Sequence, residues 1–216
     1  VEGAYTGSAS ASKSGVLLPP GHSIIAHSLS LKGSTTYSGG VWDASGVGSY
    51  LAPQASLIEA TGDNGAGVFI EGSSASDGGI TLNPTASTTS ANGFIIRASG
   101  QNANITVNGS SSSATAGRKG IVLSSVRFET RNGKVALNSG NKPIWLSSSG
   151  KLSSYSPVTG FAGGDFEITT TDYLNGAIGL DIETAGKVTL KPSGASFDAT
   201  QTFPPTGTTT FSVGGL

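Results

Sequence analysis

The chain has 216 residues, of which Gly 33, Ser 34 and Thr 23 together make 90, while charged residues reach only 12% and the net charge is -1. Cys and Met are both absent, which excludes a disulfide framework, a thiolate zinc site and a cysteine nucleophile. The near-zero charge argues against an electrostatically driven nucleic-acid binder, and no apolar run approaches the roughly 18 residues of a membrane span.

Disordered chains combine low hydrophobicity with high charge. Here the charge is low, and the hydrophobic 36% gathers into short β-branched clusters. Helix formers are scarce and no window sustains an apolar period of 3.6. The start at Val1 in place of Met reads as a processed or excised chain.

In chain order, residues 1–14 are small and polar and read as a flexible or strand-donating arm. A β-rich region follows over 15–150. Its first segment is Leu17-Leu18-Pro19-Pro20-Gly21-His22-Ser23-Ile24-Ile25-Ala26-His27. Short apolar runs then recur between Gly, Asn, Asp and Ser: Leu57-Ile58, Val68-Phe69-Ile70, Ile80-Thr81-Leu82, Phe94-Ile95-Ile96, Ile105-Thr106-Val107 and Ile121-Val122-Leu123. Residues 108–119 are low-complexity and read as an exposed loop.

Two hairpins are predicted. Val126-Arg127-Phe128-Glu129-Thr130 alternates, Asn132-Gly133 suits a type I′ turn, and Lys134-Val135-Ala136-Leu137 would return. Ile178, Leu180 and Ile182 alternate before Thr184-Ala185-Gly186, and Val188 and Leu190 alternate after it. Residues 151–164 read as linker-like, 165–198 as a second β-rich region, and 199–216 as an extended tail ending in a short strand.

The expected fold class is all-β, with many short strands joined by Gly/Asn turns. It is read as a β-solenoid or an interleaved, trimeric β-helix, with a β-sandwich or jelly roll as the alternative.

The search for chemistry assigns no catalytic, cofactor-binding or metal residues. His22 and His27 lie five apart, which fits neither a helical zinc pair nor one face of a strand. No Gly-x-Ser-x-Gly elbow anchors a hydrolase triad. Asp165 with Glu167, and Asp181 with Glu183, have the i, i+2 spacing that puts two carboxylates on one strand face about 7 Å apart. That suits acid–base work on a glycosidic bond, but alternation already explains them as the solvated face. Asp63-Asn64-Gly65 and Asp77-Gly78-Gly79 are fragments of calcium-loop text without the remaining ligands, and read as turns. Arg118-Lys119 reads as a solvated pair. Asn104 and Asn108 begin glycosylation sequons. Trp42, Tyr50, Trp145 and Tyr155 are the aromatics able to stack on sugars.

The stretch Gly179-Leu180-Asp181-Ile182-Glu183-Thr184-Ala185-Gly186-Lys187-Val188-Thr189-Leu190-Lys191-Pro192-Ser193-Gly194, and the stretch from Val126 to Asn138, resemble repeats in bacteriophage tail fibres, tail spikes and baseplate needles. The resemblance covers about a third of the chain. It implies three chains around one axis, alternate residues turned inward, and Gly or Asn at corners. Similar text occurs in secreted adhesins and in filament subunits that assemble by strand donation.

The expected function is therefore a non-enzymatic structural protein of a virion, a tail-fibre, spike or tail-tip subunit acting in assembly or host attachment. A secreted filament or adhesin subunit is the alternative, and a carbohydrate-active β-helix enzyme the third reading. The expected partners are copies of the chain (a trimer among the forms considered), other virion or filament subunits, and a cell-surface glycan or receptor. Neither nucleic acid nor a membrane span is expected, and the location is a virion or the extracellular surface.

Overall fold

The computed structural model describes residues 2–5, 16–18, 23–35, 49–51, 57–75, 80–82, 94–114, 119–123, 126–146, 150–153, 163–171, 180–196 and 210–213. Among them are nineteen strands and no helix. The first nine are β1 (Glu2–Tyr5), β2 (Val16–Leu18), β3 (Ile24–Ala26), β4 (Leu29–Thr35), β5 (Ser49–Leu51), β6 (Leu57–Ala60), β7 (Gly67–Ser74), β8 (Ile80–Leu82) and β9 (Phe94–Ala98). Then come β10 (Asn104–Ser111), β11 (Ile121–Leu123), β12 (Val126–Thr130), β13 (Val135–Asn138), β14 (Ile144–Leu146) and β15 (Gly150–Ser153). The last four are β16 (Phe166–Thr170), β17 (Leu180–Thr184), β18 (Val188–Pro192) and β19 (Thr210–Val213).

The strands form three sheets. Sheet A runs β1-β4-β7-β10-β13-β16-β18, sheet B runs β14-β11-β8-β5-β2, and sheet C runs β19-β17-β15-β12-β9-β6-β3. Every pairing between these strands is parallel. The chain thus visits the sheets in turn, and each circuit stacks on the one before.

The fold class read from the sequence is corrected by this pairing. That reading joined neighbouring strands by tight Gly/Asn turns, and its sandwich or jelly-roll alternative needs antiparallel sheets. Instead, sequence neighbours lie in different sheets, and partners come from the circuits before and after. The three sheets are parallel and do not close into a barrel. Both predicted hairpins fall with it. β12 belongs to sheet C and β13 to sheet A, while β17 belongs to C and β18 to A.

The Asn-Gly signal misled for a specific reason. A type I′ turn needs positive φ at both central residues, yet among the described residues the positive-φ positions are Asn64, Asn102, Gly65, Gly140 and Gly163, and neither Asn132 nor Gly133 is one of them. Gly133 is glycine because a Cβ there would strike the Ala103 carbonyl oxygen of the preceding circuit. Close approach between stacked corners, not turn handedness, selects it.

Alternation along each strand sorts residues into columns. In sheet A, Leu29, Val68, Ile105, Val135, Phe166 and Val188 share one register position, and Leu31, Ile70, Val107, Leu137, Ile168 and Leu190 share another. Both columns belong to the core, which sheet C completes with Ile58, Ile96 and Phe128 and sheet B with Ile121, Leu123 and Ile144. Phe128 and Phe166 meet across it edge to face, with centroids 6.0 Å apart. Full burial of each such side chain is worth roughly 1.5–3 kcal/mol, so truncating the fully buried Ile105 to Ala costs about 2–5 kcal/mol.

In sheet C, β9 pairs with β12 over five residues, and among the described residues β12 pairs with β15 at Arg127 and Ser153. The last described strand of sheet B is β14.

Candidate functional site: charged ladders on the outer faces

The positions between core residues point away from the core, and their columns carry the charged side chains. On sheet C one such column holds Ile25, Glu59, Arg97 and Glu129 in register. Each comes from an alternating strand whose neighbours point inward, so the backbone alone brings the charges to successive rungs. Arg97 Nε donates to Glu129 Oε2 at 2.7 Å, and Arg97 Nη1 lies 3.5 Å from Glu59 Oε2. Arg127 Nη1 approaches Glu129 Oε1 at 3.7 Å. The Glu129 side chain is 0% exposed and its Oε1 receives no hydrogen bond. Arg97 and Arg127 flank this buried carboxyl group and offset the cost of taking it out of water. Ile25, by contrast, is 61% exposed at the end of the column.

Sheet A carries a second cluster. Glu167 Oε2 lies 3.0 Å from Lys191 Nζ and 3.8 Å from Lys134 Nζ. The hydrogen bond from Lys191 holds the Glu167 carboxyl below its ordinary range, with the charge of Lys134 adding to it and partial desolvation opposing it.

The corners leading from sheet C to sheet A are tied by side chains that reach the next circuit. Asp63 Oδ1 accepts the Gln101 amide at 2.7 Å, Asn104 Oδ1 the Lys134 amide at 2.8 Å, and Asp165 Oδ1 the Lys187 amide at 2.9 Å. Amides stack beside them: Asn102 Nδ2 donates to Asn64 Oδ1 and Asn132 Nδ2 to Gln101 Oε1, both at 3.1 Å. A corner carbonyl or amide with no sheet partner is thereby satisfied one circuit away.

The candidates from the sequence sort as follows. Asp165 and Glu167 do lie together on the outer side of sheet A, but one caps a backbone amide and the other is gripped by two lysines. A general acid for glycoside cleavage needs a raised pKa, and Glu167 is shifted the other way. Asp181 and Glu183 are in a different sheet, in register with Lys151 and Ser153. The two acid pairs are therefore not assembled into one site. Asp63-Asn64-Gly65 forms a corner, with φ of 33° at Asn64 and 88° at Gly65. Among the described residues no group of three His, Cys, Asp or Glu could hold a metal ion.

His27 is exposed, and its ring sits where a Cβ on Gly62 would be, 2.5 Å from that position. Asn104 and Asn108 both lie in β10, not in a loop. Lys119 directly precedes Gly120, where a Cβ would strike the Ser139 carbonyl oxygen. Tyr50 and Trp145 occupy one register column of sheet B, with Thr81 and Val122 between them. His22, Trp42, Asp77, Arg118 and Tyr155 lie outside the described residues.

Sequence reasoning missed the Glu59, Arg97 and Glu129 ladder. A signal was available: Glu59-Ala60, Arg97-Ala98 and Glu129-Thr130 each place a charge before a small residue at a strand end, with alternating sign. Compared with protein-family models, curated proteins and solved structures, the chain matches none.

Proposed function

We propose that the chain is a non-enzymatic structural protein of a virion, a tail-fibre, tail-spike or tail-tip subunit that serves in assembly or host attachment. The column architecture supports this reading best. Inward columns stay apolar from circuit to circuit, while outward ones carry Ser, Thr, Asn and charges that neutralise each other along the stack. Side-chain chemistry of this kind holds rungs together and presents a repetitive polar wall. Other virion subunits, further copies of the chain and a host-surface glycan or receptor are the partners such a wall would meet.

Immunogold labelling with an antibody raised against the chain tests the reading. Gold on the tails of virus particles supports it, and gold confined to cellular filaments overturns it. The latter outcome would favour a secreted filament or adhesin subunit. One observation speaks for that second reading: among the described residues β1, from the small-residue arm, lies at the edge of sheet A and pairs with β4. Removing residues 1–14 should abolish assembly if the arm is donated to a neighbour.

A further inference from the structure

Charge is spread unevenly along the stack. Residues 101–151 hold seven of the 12 Lys and Arg but one of the 13 Asp and Glu, a net of +6, while the rest of the chain carries a net of -7. Each circuit stacks on the one before, so distance along the sequence becomes height. This segment runs from the corner before β10 to the start of β15, which is two circuits, or about 10 Å at the strand spacing. Its one acid, Glu129, is fully buried and held by Arg97. These two circuits therefore turn cations to the solvent and no acid of their own. Described circuits lie before and after them in sheets A and C.

At the corner leading from sheet C to sheet A, every residue of 99–103 and of 131–134 is described. Arg131 and Lys134 are exposed there. Arg131 Nε donates to Ser99 O at 2.7 Å, which lays the side chain back over the preceding circuit. In that circuit Gln101 and Asn102 are exposed, and Asn132 Nδ2 donates to Gln101 Oε1 at 3.1 Å. Lys134 Nζ lies 3.8 Å from Glu167 Oε2, which Lys191 holds more closely at 3.0 Å. The acid one rung on, Asp165, turns its Oδ1 to the Lys187 amide. On the other side of sheet A, Gly120 N–H donates to Pro143 O at 3.0 Å and sets Lys119 and Lys142 one rung apart.

We propose that this basic belt binds an acidic polysaccharide, with its carboxylate or sulfate groups on Arg131 and Lys134 and its hydroxyls on Gln101, Asn102 and Asn132. The inference rests on the reading of the chain as a host-attachment subunit and names the chemistry of the surface it meets.

Two arguments select this partner. The first is group chemistry. A side-chain amide donates and accepts at once, as a sugar hydroxyl does, and a guanidinium fork matches the paired oxygens of a carboxylate or sulfate. The second is charge spacing. Duplex DNA carries a charge per about 1.7 Å of its axis, and a duplex is wider than the belt is high. It would press phosphates against Asp63 and Glu71 on one side and Asp165 on the other, all exposed. A polysaccharide bears acids on some sugars and neutral hydroxyls on others, so its acids can meet the belt alone.

The test passes the whole 216-residue chain over immobilised dextran sulfate, polygalacturonate and unmodified dextran. Retention on both polyanions and not on dextran is expected, weakening as salt rises. Arg131→Gln/Lys134→Gln should weaken binding roughly tenfold, while Lys32→Gln, outside the belt, should leave it unchanged. Circular dichroism reports whether each variant has folded. If loss of the Ser99 contact unfolds the double variant, Lys134→Gln alone reads the same site with a smaller loss.

An equal loss from Lys32→Gln overturns the belt, as does tighter binding to duplex DNA than to either polysaccharide. Belt variants that change self-association of the chain but not its retention overturn it too. Full retention of the double variant, with loss in Lys119→Gln/Lys142→Gln, overturns the placement at the C-to-A corner. No retention on either polyanion, with gold on virus tails, overturns the belt and leaves the virion reading intact. Retention with gold confined to cellular filaments keeps the belt and overturns that reading.

Discussion

The Thr170 hydroxyl accepts a hydrogen bond from the Ile144 amide at 3.1 Å, tying sheet A to sheet B. Ile144 opens β14, the last described strand of sheet B, and Thr170 is fully buried at the end of β16. Thr170→Val keeps the shape and deletes the acceptor, leaving a buried donor unmet. The expected loss is about 1–3 kcal/mol, read from denaturant unfolding, with faster hydrogen exchange at the Ile144 amide as the local signature.

Removing Arg97 should cost more than removing most surface charges. Exposed ion pairs are worth about 0–1 kcal/mol, but Arg97 is the hydrogen-bond partner of a fully buried Glu129. Arg97→Met is expected to lose about 3–5 kcal/mol, and adding Glu129→Leu should recover most of it. A double-mutant cycle on the unfolding free energies checks the coupling. Additive losses would show that the two side chains do not act as a pair.

Glycine substitutions should separate corners from free turns. A Cβ on Gly133 or Gly186 would meet the carbonyl oxygen of Ala103 or Gly164, whereas one on Gly194 meets nothing within 4 Å. Gly133→Ala and Gly186→Ala are expected to lower the melting temperature by several degrees or prevent folding. Gly194→Ala should be neutral or stabilise by about 0.4–1 kcal/mol. Equal melting temperatures for all three would contradict the stacked-corner packing.

Acid should weaken the A-sheet cluster in a defined direction. Glu167 titrates below its ordinary value of 4.5 in the folded chain, chiefly because of the hydrogen bond from Lys191. A depressed carboxyl pKa gives stability that is complete above the unfolded value and lost as pH falls through the folded one. Lys191→Met should move the Glu167 carboxyl back toward 4.5 and flatten this acid-side loss. NMR titration of the Glu167 side-chain carbonyl follows the first effect, and melting temperatures across the acid range follow the second.

The sequence carried the inward and outward faces plainly but not the partners. Alternation in Phe166-Glu167-Ile168 and Val188-Thr189-Leu190 is a local property, and the buried and exposed sides of β16 follow from it. Pairing is not local. Side chains that tie one circuit to the next join residues 38 apart at Asp63 and Gln101, 30 at Asn104 and Lys134, and 22 at Asp165 and Lys187. A drifting separation hides the repeat, and the nearest turn signal, Asn132-Gly133, then claims the strands on either side of it. The Glu59, Arg97 and Glu129 ladder was hidden for the same reason. Its members become neighbours only once the circuits are stacked, although each had been readable as a polar position on a strand. Thr170 gave no signal at all, because its partner Ile144 lies 26 residues away on a strand of another sheet.

The contact between Phe128 and Phe166 has a consequence for how damage spreads. Phe128 stands on β12 of sheet C and Phe166 on β16 of sheet A, with ring centroids 6.0 Å apart and planes at 77°. A side chain truncated at either position leaves its space open to both walls at once. A defect there is shared between two sheets and is not confined to the strand that carries it.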